Sequence, residues 1–226
     1  VKASATIPFL SAASYSRVLG ANNRLQVAFI GTGGMGTSHA ANLAKRVDKE
    51  NVRITNVCDV YQRRLLNAAE ITGGKPTMEY RDIIDSKDVD AIVISTPDHW
   101  HTKIAIEAME SGKDVYCEKP LSHTIEQALA CRDAVHRTGR TLQVGPQGTS
   151  NGRYWAARKA IEEDLIGKIS WSQASYCRNS QGGQFNWKID EDAGPNQPKD
   201  HEGYVWWDRW LGWKWNLAPK IAWNPD

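Results

Sequence analysis

The sequence lacks an excess of either charge, a paired set of cysteines and any long apolar run. Its 28 lysines and arginines stand against 26 acidic residues, a net charge of +2. That is too little to build the basic surface that captures nucleic acid or an anionic membrane. Four cysteines, Cys58, Cys117, Cys131 and Cys177, lie far apart with no C-x-x-C pair. Spacing therefore points to neither a zinc site nor a redox dithiol, and buried thiols are expected, with no metal. No apolar stretch approaches the ~20 residues a membrane-spanning helix needs. What remains is ordinary globular usage, 41% hydrophobic over 226 residues, enough for one large domain or one domain with part of another. Tryptophan is the outlier: 7 of the 10 lie between Trp187 and Trp223, so two regions of different character are joined.

The ends have their own composition. Residues 1–24 carry Lys2, Arg17 and Arg24 and no acid, around a weakly apolar Ala- and Ser-rich stretch from Ala3 to Tyr15. This fits either a disordered N-terminal arm or the remnant of an export signal. Val1 is not Met, and Trp223-Asn-Pro-Asp226 follows no terminal helix or strand, so the expectation is a piece cut from a longer chain.

Leu25–Ile30 is a short apolar strand that runs into Gly31-Thr-Gly-Gly-Met-Gly36 and then an Ala-rich helical stretch to about Val47. A G-x-G-x-x-G loop between strand and helix is a phosphate cradle. Gly31 permits the tight turn, Gly33 lets backbone approach a pyrophosphate, Gly36 allows close packing, and the helix N-terminus offers free N–H groups. The next strand, Val52–Val57, leads to Asp59, 23 residues after Gly36, where a carboxylate accepts from adenosine ribose hydroxyls. Asp59 favours NAD, because it repels the 2′-phosphate of NADP; Arg63 and Arg64 keep NADP open. Asp59 also suits the N-cap of a helix over Val60–Thr72.

The alternation continues with a weak strand near Thr77–Tyr80, a short helix near Arg81–Ser86 and the strand Ala91–Ser95. Helix Lys103–Ser111, strand Asp114–Cys117, helix Thr124–Thr138 and strand Thr141–Gly145 complete it. Such alternation predicts an α/β, Rossmann-type doubly wound parallel sheet, with ligands outside the carboxyl ends of the strands. The loops after residues 30, 58, 95, 117 and 145 should converge on one crevice. Two of them carry polar runs, Thr96-Pro-Asp-His-Trp-His101 and Glu118-Lys-Pro120. Taken singly, each suits a turn or a helix start; their place at strand ends makes them candidates for chemistry.

In order, the Gly31–Gly36 loop, Thr96-Pro97 with His101, Cys117-Glu-Lys-Pro120 and Gln143-Val-Gly145 resemble the Gfo/Idh/MocA family of glucose–fructose oxidoreductases and inositol dehydrogenases. The likeness covers about residues 25–170. It implies a nicotinamide-dependent oxidoreductase acting on a hydroxyl of a sugar, polyol or related cyclic alcohol. It also implies that Gly31, Thr32, Gly33, Gly34, Met35 and Gly36 wrap the pyrophosphate and that Asp59 holds the ribose. Thr96, Pro97, His101, Glu118 and Gln147 then attend the nicotinamide half, with Lys119 as the catalytic residue beside the ring and the reacting hydroxyl. The family's common Asn after Thr-Pro is Asp98 here.

The family's base is the His of an Asp-x-x-x-His motif in the second domain, one helical turn apart so that both side chains share a face. No aspartate after residue 145 has a His four positions on, and His201 follows the loop-like Gly194-Pro-Asn-Gln-Pro198. Residues 149–226 offer a helix over Tyr154–Glu163, one strand over Lys168–Cys177 and the Trp-rich segment, and a sheet cannot be one strand. The organisation expected is therefore a leader remnant or arm (1–24), a dinucleotide-binding domain (25–148) and the start of a truncated, mostly antiparallel α+β substrate domain (149–226). Spacings of 3 and 4 among Trp206, Trp207, Trp210 and Trp213 suit an aromatic helix face, either core or sugar-stacking surface.

Some members of the family resemble twin-arginine export substrates, and residues 1–21 resemble the remainder of such a signal, which makes the periplasm the expected location and the cytoplasm the alternative. The expected partner is a small carbohydrate or polyol, with homo-oligomerisation of the whole protein. Two other readings stand beside the dehydrogenase: an NAD-dependent glycoside hydrolase that oxidises a sugar transiently, and a binding protein without turnover. Reading the coding sequence beyond Asp226 separates the last from the others; an Asp-x-x-x-His there is the expected outcome.

Overall fold

The computed structural model describes residues 24–175 and 188–224. The leader expectation for residues 1–23, and the positions of Cys177 and Trp187, lie outside the described residues.

Six parallel strands form one sheet in the order β3-β2-β1-β4-β5-β6. They are β1 (Leu25–Ile30), β2 (Val52–Cys58), β3 (Lys75–Thr77), β4 (Ala91–Ile94), β5 (Asp114–Glu118) and β6 (Leu142–Gly145). Between them run α1 (Gly34–Ala44), α2 (Gln62–Thr72), α3 (Arg81–Ile84), α4 (His101–Glu110) and α5 (Ile125–Thr138); α6 (Gly152–Glu162) and α7 (Trp207–Leu211) follow. This is the doubly wound parallel arrangement that the strand–helix alternation predicts.

Side chains alternate across a strand, and β1 shows how that divides the core. Ala28 and Ile30 face one side with Ile92, Ile94, Val115 and Cys117, and meet Ile83, Ile104, Met109 and Ala134 from the helices there. Val27 and Phe29 face the other, with Ile54 and Val57, and meet Ala40 of α1 and Leu65 and Ala68 of α2. Both faces are covered, so the central strands read as continuous apolar runs. Each fully buried Ile or Phe contributes about 1.5–3 kcal/mol. Burial also raises the thiols of Cys117, to about 12, and Cys131, to about 11, which leaves them protonated.

β1 pairs with β2 on one side and β4 on the other. The winding reverses between β1 and β4, and that reversal opens the crevice. Two glycines let the chain pass through it. Gly31 has φ +87°, and a Cβ there would lie 2.5 Å from the Thr96 amide nitrogen; a Cβ on Gly36 would lie 1.9 Å from the Gly31 carbonyl oxygen.

Several elements differ from the sequence expectation. β3 ends at Thr77 instead of starting there, and α3 stops at Ile84. α2 starts at Gln62 with Tyr61 as its N-cap, because the Asp59 carboxylate accepts from the Tyr61 N–H at 2.9 Å and holds a turn ahead of the helix. The Lys168–Cys177 strand is corrected: residues 168–175 carry no strand, since no neighbouring strand among the described residues offers backbone partners. Residues 188–224 pack back on the strand ends of the first unit and contribute two isolated bridges, Tyr61 with Val205 and Gly194 with Tyr204.

Gly36→Ala should destabilise the chain by about 3 kcal/mol or more, because the new methyl meets backbone that cannot withdraw. Gly34→Ala is the control, with nothing within 4 Å of its Cβ position; a shift under ~1 kcal/mol is expected there. Urea unfolding of the two variants beside the parent checks both.

Candidate functional site

The glycine loop is held from below. Gly31 N donates to Cys58 O at 2.8 Å, which fixes the end of β1 against the end of β2. Thr32 N donates to the Asp59 carboxylate at 2.7 Å, and the Thr32 hydroxyl reaches the same oxygen at 3.2 Å. Gly33 caps α1 in an extended conformation with no side chain, and the Gly34 Cβ position is open. Helix geometry leaves the first-turn N–H groups of α1 without intrahelical acceptors, so donors and positive dipole face the open side together.

Asp59 is buried. Burial pushes its carboxyl above the usual range, against the lowering effect of the Tyr61 and Thr32 N–H donors and of the Arg64 charge. Arg63 is occupied elsewhere: its guanidinium pairs with Asp190 at 2.9 Å and Asp192 at 2.6 Å. Of the two arginines that bear on NADP, only Arg64 reaches the crevice, 3.3 Å from the Cβ position of Gly33.

The loop after β4 brings Ser95, Thr96 and Pro97 opposite the glycines. The Ser95 and Thr96 hydroxyl oxygens are buried and have no hydrogen-bond partner. Two buried hydroxyls at a strand end are costly unless something bonds them. Beyond them the His101 ring lies between two carbonyls, Nδ1 2.7 Å from Pro120 O and Nε2 2.9 Å from Thr96 O. It staples the loop after β4 to the loop after β5.

Glu118, at the end of β5, is buried and meets His39 Nε2 at 2.8 Å. Its other oxygen accepts from the Lys119 N–H at 3.2 Å. The glycine helix and the lysine loop are thereby tied through one carboxylate. Lys119 itself is exposed, as are Gln147, Met35 and Gly34.

One cavity of about 540 Å³ opens here. Gly31, Gly33, Asp59, Arg64, Ser95, Thr96 and Pro97 line it together with Trp207, Arg209, Trp210 and Trp223. Its walls do not include Thr32, Gly34, Met35, Gly36, His101, Glu118, Lys119 or Gln147. The structure thus gathers the cradle, Asp59 and Thr96-Pro97 around one space, and leaves Lys119 outside it. Ser95 and His39 escaped the sequence reading although each had a signal, Ser95 beside Thr96-Pro97 and His39 one turn past Gly36. Nothing local in the sequence announces that tryptophans more than a hundred residues on close the same cavity.

A nicotinamide dinucleotide fits these groups. The loop gives its pyrophosphate free amides and no Cβ in the way, Asp59 stands at the ribose position, and the orphan hydroxyls of Ser95 and Thr96 need partners. No group of three or more His, Cys, Asp or Glu among the described residues stands in a metal-holding arrangement.

Fold and site together define a dinucleotide-binding oxidoreductase domain. Residues 25–146 match the family model described as the oxidoreductase family with NAD-binding Rossmann fold, and the chain belongs to this Gfo/Idh/MocA family. An inositol 2-dehydrogenase of Rubrobacter xylanophilus is 35% identical over 149 residues, 66% of this chain and 42% of the relative. A glycosyl hydrolase family 109 protein of Shewanella sp. (strain W3-18-1) is 27% identical over 196 residues, 82% of this chain and 39% of the relative. The WlbA dehydrogenase of Chromobacterium violaceum, solved with NADH and UDP-GlcNAcA, superposes with a TM-score of 0.60 at 27% identity, covering 64% of this chain and 41% of its own. The chain spans about two-fifths of the length of the curated relatives it matches.

The rim of the site carries a pH-sensitive contact. The His99 ring nitrogen lies 2.8 Å from Trp210 O, and burial holds its pKa below the ordinary 6.5. Protons therefore bind the unfolded chain first, and His99 costs stability as pH falls from about 6.5 through its folded value. A melting profile from pH 7.5 to 5 should be flatter in His99→Gln, which keeps an N–H donor for Trp210.

Proposed function

We propose that this chain is the cofactor-holding part of an NAD-dependent oxidoreductase that oxidises a hydroxyl of a sugar, polyol or related cyclic alcohol. The observation that carries the reading is the single cavity shared by the glycine cradle, Asp59 and the two unpartnered hydroxyls of Ser95 and Thr96. The likenesses to an inositol 2-dehydrogenase and to the WlbA dehydrogenase solved with UDP-GlcNAcA support the substrate class.

When bound, nicotinamide supplies the hydride acceptor. The chain's own residues do the rest. Amides from Gly33 to Gly36, Gly34 and Met35 among them, hold the pyrophosphate against the α1 dipole, while those of Gly31 and Thr32 are taken by Cys58 O and Asp59 and shape the loop. Asp59 accepts from the adenosine ribose, and its negative charge, with Arg63 already paired, favours NAD over NADP. Thr96 and Pro97 bound the path toward the nicotinamide half. His101 and Glu118 act through position, by joining the loops after β4 and β5 and by tying α1 to the lysine loop. Lys119 places an ammonium where a substrate oxygen loses its proton and gains negative charge. Gln147 lies on the same exposed rim. In this reading residues 25–148 are the dinucleotide domain and 149–226 lead into the substrate domain, with 188–224 packed back on the first unit; the proton acceptor belongs to the whole protein, this chain lacking the Asp-x-x-x-His pattern. A periplasmic location, supported by the basic, Ala- and Ser-rich residues 1–24, and a homo-oligomeric whole protein belong to the same reading.

The glycosidase reading has a specific support, the family 109 likeness over 82% of this chain. In that chemistry the sugar is oxidised transiently and the aglycone leaves with no net change in NADH. NADH appearance with a free sugar separates the dehydrogenase from aglycone release at constant NADH.

The test on this chain is calorimetry. NAD should give saturable heat, NADP should bind at least ~10-fold more weakly, and no appreciable turnover should accompany either. Lys119→Ala should leave NAD affinity within about 3-fold, while the same change in the whole enzyme lowers kcat about 100-fold or more. No heat with either dinucleotide overturns the reading.

A further inference from the structure

Residues 188–224 bridge the two loops that flank the Asp59 end of the cavity. Toward the loop after β2 the joint is backbone: Trp206 N donates to Val60 O at 2.8 Å, Gln62 N to Tyr204 O at 3.0 Å, and Arg63 N to Glu202 O at 2.9 Å. Toward the loop after β4, Trp100 Nε1 donates to Trp210 O at 2.9 Å, alongside the His99 contact. The segment is therefore fixed at both sides of the crevice.

Between those joints stand three indoles. Trp207 and Trp210 are stacked with ring centroids 4.8 Å apart and planes 18° apart, and Trp223 meets Trp207 edge-on at 5.0 Å. All three line the same cavity as Gly31, Gly33 and Asp59. With a pyrophosphate on the α1 amides and a ribose on Asp59, the base attached to that ribose continues along the cavity toward the indoles. Lys119 follows β5, which lies beyond β4 from β2, so a sugar beside Lys119 approaches from the other side. Arg209, which also lines the cavity, is partly buried over Trp206 and Trp215 and pairs through Nη2 with Glu79, while its Nε and Nη1 are buried without a partner. Those are donors of the kind purine ring nitrogens accept.

We propose that residues 188–224 are a strap closing the adenosine end of the dinucleotide site, with Trp207 and Trp210 as the platform for the adenine ring. This rests on the NAD reading and adds a function to the Trp-rich segment, which the sequence left open between core and sugar surface.

ADP-ribose is the probe, because it carries the adenine without nicotinamide. It should bind the unaltered chain, quench tryptophan fluorescence and protect amides of residues 202–210 from hydrogen exchange. Trp207→Leu should lose about 10-fold in affinity and part of the quench, whereas Trp207→Phe, which keeps an aromatic face, should stay within about 3-fold. Unchanged affinity in a Trp207→Leu protein that melts like the parent overturns the strap. Where that variant fails to fold, exchange on the unaltered chain decides, and absence of protection at 202–210 on saturation overturns it. A parent chain that binds neither NAD nor ADP-ribose overturns the cofactor reading itself; NAD binding with an indifferent Trp207 overturns the strap alone.

Discussion

The approach of the α1 N-terminus to the ends of β1 and β4 is the contact on which the rest of the site depends. It is closer than any side chain permits: a methyl on Gly36 would sit 1.9 Å from the Gly31 carbonyl oxygen, and one on Gly31 would strike the Ser95–Thr96 peptide. Because those two positions have no Cβ, the helix start, with its free amides, lies directly over the reversal in the sheet. Every other element of the cavity is positioned relative to that point.

Hydrogen bonds to buried acids and rings then hold the loops in place. Asp59 joins the glycine loop to the turn before α2 through Thr32 and Tyr61. His101 joins the loops after β4 and β5, and His39 joins α1 to Glu118. Two imidazoles that the sequence pattern offers or passes over thus act as structural ties, which keeps Lys119 at a fixed distance from the cradle without burying it. The lysine and the carboxylate beside it differ accordingly: the Lys119 side chain stands in solvent, whereas Glu118 is buried and held by His39 and the Lys119 N–H.

The two parts of the chain after β6 behave differently. α6 buries none of its residues among the described part, and Tyr154, Trp155, Leu165, Ile166 and Trp171 are exposed. Residues 188–224 instead bury Tyr204, Val205 and Leu211 against the first unit and close its crevice. Composition set the Trp-rich segment apart but did not say what it packs on. Their difference comes from backbone pairing, which the 202–206 stretch finds on the loop after β2.

The sequence by itself determined the parallel sheet, the order of its strands along the chain, the cradle and the acid after β2. Each is a local pattern: apolar runs of strand length, glycines at fixed spacing, a carboxylate at a strand end. The strand expected from Lys168 failed over its described residues, 168–175, for the converse reason, because a strand exists only when a neighbour supplies its hydrogen bonds. Only the tertiary structure decided that Arg63 is held by Asp190 and Asp192, that His101 is enclosed by carbonyls, and that distant tryptophans complete the cavity. Those facts depend on which backbone segments meet after folding, and pairing between residues more than a hundred positions apart leaves no periodicity in the chain to read.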